Sequence, residues 1–68
     1  MILYCVNKNE QDTGEHEVHT LDCEHKPEPE NQIYLGRFNT CHEAINKAKE
    51  YYTNVDGCFY CSKECHTR

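Results

Sequence analysis

The order of apolar and polar positions along this chain predicts three strands followed by one helix. Residues 2–6, ILYCV, form a continuous apolar run rich in β-prone side chains, and the NKNEQDTG that follows carries the Asn, Asp and Gly of a turn. EHEVHTL then resumes an extended pattern, so the two runs read as a hairpin. In its second strand Val18 alternates with acidic residues and with His19, which leaves one face in water. EHKPEPEN holds two prolines, which cannot donate to a ladder, among three glutamates, and reads as a solvated loop. IYLGRF, Ile33 to Phe38, is the third strand. Gly36 within it marks a bulge, a close approach of another backbone, or simply a weak point.

Thr40 and Glu43 have the spacing of a capping box, in which the hydroxyl and the carboxylate each satisfy an orphan amide of the first helical turn. Cys41, Ala44, Ile45, Ala48, Tyr52 and Val55 then fall on one helical stripe, with His42, Asn46, Lys47, Lys49 and Glu50 opposite. Asn54 to Gly57 reads as a turn, with Gly57 supplying a positive φ. The resulting expectation is an α+β fold in which residues 1–68 form a single domain. A three-stranded antiparallel sheet, with strands near 2–7, 15–20 and 32–38, carries one packed helix near 41–53 and a zinc site at one end.

Size favours such a staple. A chain of 68 residues buries only about 60% of its unfolded surface, and its core rarely contributes more than roughly 3–5 kcal/mol. Apolar residues are 37% of the chain, so burial alone is weak. Six cysteines offer either disulfides or metal ligation, and the compartment selects between them. MILYCVNKNE has no basic leader region and no long apolar core, and no segment is long enough to span a membrane. These features place the chain in the cytoplasm, where thiols stay reduced or bind metal.

The ligands cluster in two places. GCFYCSKECH, from Gly57 to His66, concentrates three thiols and an imidazole, and Cys58 and Cys61 form a C-x-x-C pair whose turn amides can point at the sulfurs. His19 and Cys23, a His-x-x-x-Cys pair at the end of the second strand, supply the other half. Together the four make a Zn2+ site joining the hairpin to the segment after the helix. Cys65 and His66 compete with His19 for the fourth position. Cys5 and Cys41 lie on apolar faces and read as buried core, and His16, His25 and His42 read as solvent-facing.

The run VHTLDC, then EPENQIYLGRFNTCHEA, then GCFYC resembles the zinc-binding domain of the Ada-type DNA alkyl-phosphotriester repair proteins, above all its standalone relatives with a His-x-x-x-Cys first half-site. The likeness covers roughly residues 17–61. It implies ligation by His19, Cys23, Cys58 and Cys61. In that family the methyl acceptor is the first-pair cysteine that His19 replaces here, so the resemblance carries over the metal site and not the repair activity. SKECHTR has no counterpart in it.

Charge limits the partners. A net charge of -5, with the basic residues scattered among acids, is the wrong sign for binding nucleic acid. Four protein donors also leave no open metal position for hydrolysis. The expected function is therefore that of a noncatalytic, monomeric zinc module that either acts alone or docks on an unknown protein partner through aromatic surface such as Tyr4, Tyr34, Tyr51, Phe59 or Tyr60, several of which are core residues instead. The alternatives are a thiol-reactive zinc-thiolate protein, in which an exposed Cys65 accepts alkyl groups or senses oxidants, and a nucleic-acid-associated Ada-like domain.

Overall fold

A computed structural model describes residues 1–67. Strand β1 (Ile2–Asn7) pairs antiparallel with both β2 (His16–Thr20) and β3 (Gln32–Phe38), so the apolar run at the start of the chain lies inside the sheet. A fourth strand, β4 (Val55–Gly57), pairs parallel to β2 and completes the order β3-β1-β2-β4. The sheet is thus four-stranded and mixed, not three-stranded and antiparallel. Val-Asp-Gly has no alternation of its own to announce a strand. It is extended because it lies alongside His16–Val18, with the His16 amide donating to Asn54 O at 2.9 Å and the Cys58 amide to Val18 O at 2.9 Å.

Gly36 serves a bulge. Tyr4 faces Gly36 while the next residue, Cys5, faces Tyr34, so Leu35 is the extra residue on β3. Gly36 adopts φ of 120°, a conformation that a side chain would strain.

Helix α1 (Cys41–Ala48) begins where the capping box predicts. The Glu43 amide donates to Thr40 Oγ1 at 3.3 Å, and Glu43 Oε1 accepts from the amides of Thr40 and Asn39. It ends earlier than its apolar stripe suggests. The amides of Tyr51 and Tyr52 both turn onto Ala48 O, and Tyr52 then stacks on the His16 ring with centroids 3.6 Å apart. The chain leaves α1 before these residues, so Tyr52 and Val55 pack against the core from outside the helix. His16, expected in solvent, is held there, its Nδ1 2.9 Å from Asn7 O.

The core comprises Tyr4, Val6, Val18 and Leu35 of the sheet beneath Cys41, Ala44 and Ala48 of α1. Cys41, the first residue of α1, is joined by a disulfide to Cys65 in the short 3-10 turn Lys63–Cys65. The two residues are 24 apart in sequence, a loop whose closure removes about 3.5 kcal/mol of unfolded-state entropy in the chain-entropy picture. Gly57 admits this turn through closeness rather than through positive φ. A Cβ there would stand 2.6 Å from Cys65 Cβ and 2.7 Å from Ser62 O.

Candidate metal centre

β2 delivers the first half of the site. His19 is 1% exposed, and alternation along the strand turns it away from the core face that Val18 occupies. The chain then turns tightly, the Cys23 amide donating to Thr20 O, and brings Cys23 back beneath the strand end. The second half leaves β4 at Cys58 and closes a turn in which the Ser62 amide donates to Cys58 O at 2.9 Å, presenting Cys61. Since β2 and β4 are paired neighbours, the two turns meet. This is the purpose of the strand that the sequence did not reveal.

One donor atom from each of His19, Cys23, Cys58 and Cys61 lies within 4.8 Å of the other three, and the cluster could hold a metal ion. Cys23 Sγ and Cys58 Sγ are 3.9 Å apart, and Cys61 Sγ is 4.0 Å from His19 Nδ1. Zinc–sulfur bonds of about 2.3 Å in a tetrahedron set sulfur atoms about 3.8 Å apart, close to the 3.9 Å between Cys23 and Cys58.

The surroundings suit anionic sulfur. The Thr20 amide donates to Cys61 Sγ at 3.3 Å, the His25 amide to Cys23 Sγ at 3.4 Å and the Tyr60 amide to Cys58 Sγ at 3.4 Å. In both turns the donor to the first sulfur is the amide two residues on, which the tight turn aims inward. His19 Nε2, buried and without a hydrogen bond, lies 3.5 Å from Glu17 Oε1. With Nδ1 facing the sulfurs, that carboxylate is placed to hold the proton on Nε2 and orient the ring, the usual outer partner of a ligating histidine. Glu17 was missed in the sequence. The signal was its position two residues before His19 on a strand, which puts both on one face.

The thiols differ sharply. Burial pushes Cys58 up to about 12, more than its amide donors offset. Burial would raise Cys61 as well, but its contacts with His19, the Thr20 amide, Cys23 and Ser62 outweigh it and bring the thiol down to about 6. Cys61 is also less buried than its partners and lines a groove of about 390 Å³, together with Tyr4, Cys41, Tyr60 and Glu64.

Neither alternative for the fourth position enters the cluster. Cys65 is bonded to Cys41, and His66 Nδ1 sits 2.9 Å from Gly57 O and 3.2 Å from the buried Asp56 carboxylate. Cys5 is fully buried and free, paired in register with His19. His25 stacks on Tyr60 with ring centroids 3.9 Å apart. No protein-family model, curated protein or solved structure matches this chain. Among the described residues no helix is long and apolar enough to cross a membrane.

Proposed function

We propose that this chain is a small noncatalytic module whose staple is one Zn2+ held by His19, Cys23, Cys58 and Cys61, with the fold depending on the ion. The observation that carries this reading is the convergence of three thiols and an imidazole, from turns far apart in sequence, with their donor atoms within 4.8 Å of one another. Soft sulfur with one imidazole selects zinc over the harder cations, and a full set of four protein donors is the mark of a structural site. The order of the ligands also resembles the Ada-type domain, with His19 in place of the acceptor cysteine.

A protein partner is the natural client of such a module. Tyr34, Tyr51, Phe59 and Tyr60 are exposed and available to it, whereas Tyr4 is 3% exposed and belongs to the core. Phe59 and Tyr60 pack edge to face beside the metal turn, with Lys63 above Phe59, so the ion would also hold this aromatic surface in place. A zinc-thiolate site of this kind suits the reducing cytoplasm, whereas the Cys41–Cys65 bond, unexpected from the sequence, suits an oxidising one.

One observation favours the thiol-reactive reading as a second. Cys61 reaches the groove and has a depressed thiol pKa, the environment of a nucleophilic sulfur. Alkylation of the zinc-loaded chain with iodoacetamide, with zinc release followed in parallel, separates the two. A structural site reacts slowly and keeps its metal. Rapid modification of Cys61 with loss of the ion would replace the structural reading with the reactive one.

A further inference from the structure

A second group of soft donors lies outside the metal centre. Cys41, His42 and Cys65 each offer one ligand atom, all within 4.8 Å of one another, and His42 Nδ1 is 3.5 Å from Cys65 Sγ. His42 is exposed and makes no other side-chain hydrogen bond among those described. The apolar stripe of α1 accounts for burying Cys41, and the disulfide accounts for Cys65. Neither accounts for an imidazole on the polar side of the helix turned onto the sulfur.

We infer that Cys41, Cys65 and His42 form a second, redox-gated metal site: closed while the two sulfurs are bonded to each other, and open to a thiophilic divalent cation such as Zn2+ once they are reduced. The bonded sulfurs have no thiolate to give. Reduction changes that at little structural cost, because the Cα atoms are 6.3 Å apart and both residues sit on short ordered elements, α1 and the turn Lys63–Cys65. Side-chain rotation alone can then open the sulfurs to the spacing of about 3.8 Å that a shared zinc ion requires.

The chemistry balances with a dithiol as reductant. Its thiolate attacks Cys65 Sγ, the sulfur–sulfur bond breaks, and Cys41 leaves as a thiolate, favoured by its place in the first turn of α1, where the amides point outward. The second thiol of the reductant resolves the mixed disulfide. Two electrons and two protons have then passed to the protein, and the reductant departs as its own disulfide. Binding the cation releases the thiol protons to solvent, and the resulting site, two thiolates and a neutral imidazole around a dication, carries no net charge. Three protein donors leave the fourth position to water or an added ligand, and the groove lined by Cys41, Thr40 and Glu64 lies beside it.

The inference rests on the proposed zinc centre only for the baseline of the count. Zn2+ binding is measured on the full chain by native mass spectrometry, in the disulfide form and after reduction with a phosphine, which adds no competing thiol. The phosphine takes oxygen from water and leaves as its oxide, so the two sulfurs gain the protons. The disulfide form is expected to bind about one zinc ion and the reduced form about two. His42→Ala, at an exposed position that leaves the core intact, should weaken the second ion by at least ~10-fold while the first is unchanged, and Cys65→Ser should abolish the second. A reduced chain that binds no more zinc than the disulfide form overturns the inference, as does a second ion indifferent to His42→Ala. A disulfide form that binds none, beside a reduced form that binds one ion sensitive to His42→Ala, would sink the first centre and leave this one standing.

Discussion

Replacing Gly57 by alanine tests whether the close contact between the metal turn and the disulfide matters. The added Cβ would meet Cys65 Cβ at 2.6 Å, Ser62 O at 2.7 Å and the Cys65 carbonyl carbon at 2.9 Å. Two of these are backbone atoms, and the third is a Cβ held in place by its own backbone, so no side-chain rotation relieves the contact. Overpacking of this kind costs about 1–3 kcal/mol, and the reduced freedom of the unfolded alanine chain returns only about 0.4–1 kcal/mol. A net loss of about 1–2 kcal/mol follows. Gly57 directly precedes Cys58, so the shift that relieves the clash also moves a proposed metal ligand, and zinc affinity should fall with stability. Gly14→Ala is the control. Its φ of 95° makes alanine strained, but a Cβ meets nothing nearer than Asn54 Nδ2 at 3.6 Å, and the site is the far turn of the hairpin. It should lower stability by about 1–2 kcal/mol without touching zinc affinity. Urea denaturation of the zinc-loaded protein, with zinc competition against a chromogenic chelator, reads both quantities. A Gly57→Ala chain with wild-type stability and affinity would refute the reasoning.

The cysteines should rank by place. Cys58→Ser and Cys61→Ser should each abolish metal-dependent folding in circular dichroism, whereas Cys5→Ser, which buries a hydroxyl behind the site, should cost about 1–3 kcal/mol and keep the metal; equal tolerance of all three would contradict the assignment. Zinc should leave as pH falls, because imidazole and thiolates take up protons that metal must displace. The sign agrees for Cys61. Its thiol stands at about 6 in the folded chain against an ordinary 9.0, so its contribution is fully present above pH 9, declines as pH falls, and is gone below about pH 6. A pH titration with a zinc indicator should find the ion retained at pH 8 and released on acidification, and zinc binding that is independent of pH would contradict ligation by thiolates and imidazole.

Much of this architecture was legible because its causes are local. ILYCV and IYLGRF carry their strand signal within themselves, and Thr40 with Glu43 announces the helix within one turn. The two pairs of soft side chains that the fold brings together, His19 with Cys23 and Cys58 with Cys61, were legible for the same reason, since each is made by a single tight turn. What escaped depends on partners remote in sequence. Val55–Gly57 is extended alongside β2, and Tyr52, on the predicted helical stripe, stacks on His16 from beyond the end of α1. The Cys41–Cys65 bond needed the fold as well. Both positions looked accounted for, one as core and one as a spare ligand, and only the return of the chain after β4 brings them together.

The dependence of the fold on a bound ion is tested most directly by native mass spectrometry and circular dichroism on the same disulfide-intact sample, before and after exhaustive chelation. The account predicts about one zinc ion per chain beforehand, and loss of both the ion and the ordered β signal afterwards, with recovery when Zn2+ is restored. A chain that is metal-free as purified and equally well ordered with and without chelator would contradict it.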